Sequence, residues 1–72
     1  MKHIKQRNEI KRILAKLDQG NQMVFKRMYS HKNLDLDIDT VVDNMQDKHI
    51  GWALIQVKNS YHKIFEILKG TT

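Results

Sequence analysis

Asp35, Asp37 and Asp39, followed by Asp43, are the side chains whose spacing comes nearest to a metal site. They match the first, third, fifth and ninth liganding positions of a calcium-binding EF-hand loop. Such a loop needs Gly at its sixth position for a sharp turn and a bidentate Glu at its twelfth; this chain has Thr40 and Gln46 there. Leu36 and Ile38, between the acids, read as core residues. The acids are therefore expected as helix caps and solvated turn residues, without a metal. His3, His31, His49 and His62 show no HxxxH spacing, and the chain has no Cys to join them, so they read as surface histidines. Ser30 adjoins His31, but adjacency in sequence is not the geometry of a catalytic triad. With no paired-carboxylate site and no phosphate-cradling Gly loop, the residues predict a non-enzymatic chain with no cofactor and no small-molecule substrate.

Binding chemistry is more legible than catalysis. Residues 1–32 carry nine Lys or Arg against Glu9 and Asp18, a net +7. Residues 33–47 carry only acids, a net −5, and the remainder adds +3 to restore the overall +5. A pI near 9.7 is the electrostatic footprint expected of a nucleic-acid binder. Lys5, Arg12 and Lys16 fall on one helical face, and with Lys26 and Arg27 they form the candidate phosphate-contacting surface. A helix-turn-helix built on the middle of the chain is disfavoured, because its recognition helix, Ile38–Met45, would present Asp39 and Asp43 to phosphate. The competing reading of the basic face is plain solvation, or attraction to the acidic segment of the same chain or of a second copy.

Seventy-two residues make one domain, 1–72. A single core of this size supplies ~3–5 kcal/mol, and small chains often add disulfides, a metal or a partner subunit. Without Cys or a Cys/His cluster, close helix packing and self-association are the routes left. Met1 to Ile4 lead into no long apolar run, so no secretory signal and no membrane span are expected, and the expected location is the cytoplasm.

The elements that must position these residues follow from periodicity. Ile10, Ile13, Leu14 and Leu17 repeat at i, i+3, i+4, i+7 and predict a helix over 2–19, with Gly20 as a left-handed residue beyond its end. Asn21 is expected to cap a second helix over 22–29 with Val24, Phe25 and Met28 inward. Leu34 to Asp39 alternate like a strand but have nothing to pair with, so they read as an extended lead-in. A third helix over 38–45 follows, capped by Asp37 and stapled by Leu36 and Val41. Asp47 is expected to cap a fourth helix over 48–69, ended by Gly70. Its stripe is Ile50, Leu54, Val57, Tyr61, Ile64, Phe65 and Leu68. About twenty-two residues would span ~33 Å. The predicted fold is all-α: a small bundle of three short helices packed on one long C-terminal helix.

Trp52 and Ile55 fall off that stripe, and Asn59 lies one turn beyond Ile55. An indole on the second face of the longest helix is either covered by the third helix or left for a partner, and Trp is enriched at interface hot spots. Gly51 beside it permits close approach of another helix. Trp52, Ile55 and Asn59 are thus the candidate protein-interface residues.

The blocks Phe25–Ser30, Leu34–Asp37, Val41-Val42-Asp43-x-Met45 and Trp52-Ala53-Leu54-x-Gln56-Val57 resemble small uncharacterised proteins encoded by tailed bacteriophages. The resemblance spans about residues 25–59, and the chain departs from the pattern at Gln46, where a proline is expected. It implies no activity and no functional residue. It implies a context, in which such proteins bind and redirect a host or phage protein inside the infected cell. The leading expectation is a helical interaction protein able to self-associate, with a nucleic-acid-binding regulator as the alternative and a virion assembly component as a third reading.

Overall fold

A computed structural model describes residues 2–31 and 33–70, with side chains described as far as residue 63. The described residues are all-helical: α1 (Ile4–Lys16), α2 (Gln19–Tyr29), α3 (Ile38–Asn44) and α4 (Asp47–Gly70). None of these helices is long and apolar enough to cross a membrane.

In α1, Ile10, Ile13 and Leu14 are buried as their spacing predicts, and Leu17 is buried just past the helix end. The helix stops at Lys16, earlier than expected, and Gly20 does not end it. Leu17 turns the chain into extended backbone, and the Gln22 side-chain amide donates to the Leu14 carbonyl (2.7 Å) and the Leu17 carbonyl (3.2 Å). A side chain from the next helix thus satisfies carbonyls that a glycine turn would otherwise have to serve. Gly20 lies inside α2, whose N-cap is Asp18, not Asn21; the Asn21 amide bonds the Asp18 carboxylate instead.

In α2 only Phe25 of the three residues expected inward is buried. Val24 and Met28 are exposed, at 51% and 54%. The inward edge is Phe25 with Tyr29, one turn apart with ring centroids 4.7 Å apart, which rotates the neighbouring Val24–Met28 edge out to solvent. Ser30 closes the helix by donating its hydroxyl to the Lys26 carbonyl. His31 then adopts φ 53°, the left-handed conformation that reverses the chain. The segment before α3 is a turn, not extended backbone, with Leu36 N–H donating to the Asn33 carbonyl at 3.4 Å.

Asp37 is the N-cap of α3 in backbone terms, as expected. Its carboxylate closes no cap hydrogen bond, although the nearby Thr40 hydroxyl and N–H hold its pKa below the ordinary value. Val41 and Val42 are buried, with Leu36 packed against the core. The helix ends at Asn44, because Met45 is extended, and α4 begins at Asp47, which lies inside its first turn and not ahead of it. In α4, Ile50, Ala53 and Val57 are buried, while Leu54 and Tyr61 are half-buried against the same core. The expected inward positions Ile64, Phe65 and Leu68 lie outside the described side chains.

The most extensive helix pair is α1 with α4; α3 packs on α1, and α2 on α3. Ile10, Leu14, Val41, Val42 and Ile50 are the largest wholly enclosed side chains, each worth about 1.5–3 kcal/mol of burial.

The junction of α1, α3 and α4 is held by Arg7, which is 3% exposed. Its guanidinium donates to the Val42 carbonyl (2.5 Å), the Met45 carbonyl (2.9 Å) and Asp47 Oδ1 (2.8 Å), and its Nε donates to the Lys2 carbonyl (2.8 Å). The C-terminal carbonyls of α3 carry the negative end of its dipole, and a planar guanidinium matches several of them at once. Lys11 Nζ adds a second α1–α3 tie, 2.7 Å from Asp43 Oδ1, an ion pair whose angles fall outside hydrogen-bond geometry.

Candidate functional site

Two surfaces of the described structure bear on binding, and α4 contributes to both. The first is the outer side of α4. With Ile50, Ala53 and Val57 turned into the core, the helical period places Trp52, Ile55 and Asn59 on the opposite side. Trp52 is 74% exposed and Ile55 56%, and Asn59 is exposed between them and the C-terminal end. α3 does not cover the indole. Helix α4 runs unbroken through Gly51, so the three residues share one continuous face.

On the α2 side this face continues. The Gln56 amide donates to Met28 Sδ at 3.0 Å, and Tyr29 Oη donates to Gln56 Oε1 at 3.1 Å, which places exposed Met28 within a turn of Trp52 and Ile55. Met28 was expected in the core. Its exposure extends the apolar surface onto a second helix, and an unbranched thioether adapts readily to the shape of what covers it. Below it lies a cleft of about 50 Å³ lined by Met28, Tyr29, His31, Met45 and His49, among others, too small for more than a water or two. Burial raises the Tyr29 pKa and keeps the phenol protonated.

The second surface is an open groove of about 400 Å³ between α1 and α4. Arg12 and Lys16 line it from α1, and Lys58, Tyr61 and His62 from α4. Lys16 Nζ sits 5.9 Å from the Tyr61 ring centroid, a cation–π distance. Glu9 also lines the groove and pairs with Arg12. That hydrogen bond, helped by Lys58 and Lys16, holds the Glu9 carboxyl below its ordinary value and raises the Arg12 pKa in turn.

The structure therefore gathers only part of the basic surface expected from sequence. Arg12 and Lys16 come together, with Lys5 exposed on the same helix. Lys26 lies elsewhere, its ammonium 3.5 Å from the Leu34 carbonyl at the acidic turn, and Arg27 is exposed on α2. Lys58, Tyr61 and His62 complete the groove and were not anticipated. Their i, i+3, i+4 spacing was visible, but the partner helix that turns the row into a groove was not. Among the described residues, no three His, Asp or Glu side chains gather where a metal could be held, and the Asp35–Asp39 acids are spread along the turn and the start of α3.

No protein-family model matches the chain, and comparisons with curated proteins and with solved structures give no significant match.

Proposed function

We propose that this chain is a non-enzymatic interaction protein that works by occupying a surface on another protein through the outer face of α4. The observation that carries the reading is Trp52, 74% exposed on an unbroken helix with Ile55 at 56% beside it. An indole left in water is a large apolar area that association would bury, and aromatic anchors of this kind dominate binding energy at interfaces. Part of the same proposal is α4 as a rod with the three shorter helices all to one side, which leaves the Trp52 side open. Action is steric or allosteric, without bond chemistry, in the cytoplasm. The residue blocks of 25–59 support a phage origin and a host or phage protein as the partner.

A second reading has its own observation. The Arg12–Lys16–Lys58 groove, with Tyr61 and His62 on its wall, offers cations and a ring in the combination that tracks a nucleic-acid backbone. It would make the chain a nucleic-acid-binding regulator.

One experiment separates them. Wild-type protein and Trp52→Ala, matched for helicity by circular dichroism, are used to capture partners from a bacterial lysate, with and without nuclease. Capture that Trp52→Ala abolishes and nuclease leaves intact supports protein docking. Capture that nuclease abolishes and Trp52→Ala retains transfers the function to the groove, where affinity for labelled duplex should fall steeply with salt.

A further inference from the structure

Gly51 has no explanation within its own chain. It lies in the body of α4 with ordinary helical backbone, since no described glycine has a positive φ. A Cβ built on it would meet nothing within 4 Å, whereas one on Gly20 would sit 3.2 Å from Asp18 Oδ2. Neither backbone conformation nor internal packing requires Gly there, and Ala would make a more stable helix. What adjoins it is the docking face: Lys48 one turn before, Trp52 next, Ile55 one turn after. The missing side chain leaves a notch beside two exposed apolar residues, where another backbone can come closer than ordinary side chains allow.

Charge selects the occupant. Lys48, His49, Lys58, His62 and Lys63 are exposed along α4, and the acid of its first turn, Asp47, is paired with Arg7, with no other Asp or Glu before Glu66. Two copies meeting through this face would set lysines near lysines. Nor does the acidic segment of a second copy fit. Leu36 and Ile38 pack against its own core, so it offers carboxylates without apolar anchors.

We infer that the α4 face takes an acidic amphipathic helix of a partner protein, crossing at Gly51 with its apolar side on Trp52 and Ile55 and its carboxylates toward Lys48 and Lys63. This rests on the protein-docking reading above and names the partner's chemistry.

The test pans a displayed library of random 16-residue peptides on the full-length protein, then measures the enriched peptides against variants. The expected binders have net negative charge and apolar residues at i, i+3 or i+4 spacing. Gly51→Ala should raise the melting temperature by about 4–8 °C while weakening these peptides at least tenfold. Charge reversal at Lys48 and Lys63 together should weaken them further, and Trp52→Ala should abolish binding. Peptides that depend on Trp52 but are neutral or basic, or that tolerate Gly51→Ala, overturn the acidic-helix inference and leave the docking face standing. If no enriched peptide depends on Trp52, the inference and the docking reading both fall. A dimer in light scattering that Trp52→Ala dissociates makes a second copy the occupant and overturns the inference.

Discussion

Replacing Arg7 should be among the most damaging single changes to this protein, and the reason can be separated from its ion pair. The guanidinium serves the buried Val42 and Met45 carbonyls at the end of α3, and each acceptor left unpaired costs about 1–3 kcal/mol. Loss of the stem's packing adds to this, so Arg7→Ala should cost about 3–5 kcal/mol. A chain of 72 residues has about 4–11 kcal/mol in total on per-residue averages, and small domains sit near the lower end. Arg7→Ala is therefore expected to be largely unfolded at 25 °C. Arg7→Lys keeps the charge but loses the fork and should cost about 2 kcal/mol. The Asp47 side chain is 45% exposed, so its pairing with Arg7 is screened and Asp47→Asn should cost no more than about 1 kcal/mol. Urea titration followed by far-ultraviolet circular dichroism is the right assay, because Trp52 is too exposed to report on folding. The reasoning is refuted if Arg7→Ala melts with wild type, or if Asp47→Asn is as damaging as Arg7→Lys.

Two further outcomes follow from the geometry. Tyr29→Phe removes the hydroxyl that ties α2 to Gln56 and should lower stability by about 0.5–1.5 kcal/mol in urea titration at neutral pH, with helicity unchanged. For Asp37, a folded pKa depressed by Thr40 means stability that is present above the ordinary carboxylate value and lost as pH falls through the depressed one. The urea midpoint should thus decline on acidification below about pH 4, and Asp37→Asn should flatten part of that decline; an unchanged acid limb in the variant would remove Asp37 from the account.

What the sequence alone determined is local. The Ile10–Leu17 repeat specified which side of α1 faces the core, because buried apolar residues at helical spacing leave few other arrangements. Asp37 marked the start of α3. The displacement of Trp52 and Ile55 from the Ile50–Val57 stripe was legible on a helical wheel, and so was the choice between cover and exposure. Tertiary structure decided that choice, since a wheel gives angles about one axis and not which neighbour lies at each angle. The same gap explains Val24 and Met28, whose exposure depends on which edge of α2 meets α3. It explains Gly20, which was released from a turn because Gln22 reached back to cap α1. Arg7 is the clearest case. Its spacing, three residues before Ile10 and seven before Leu14, puts it on the apolar stripe of α1, but the bonds that make it a core residue were not legible, because they come from the carbonyl end of α3 and the start of α4 converging on its guanidinium.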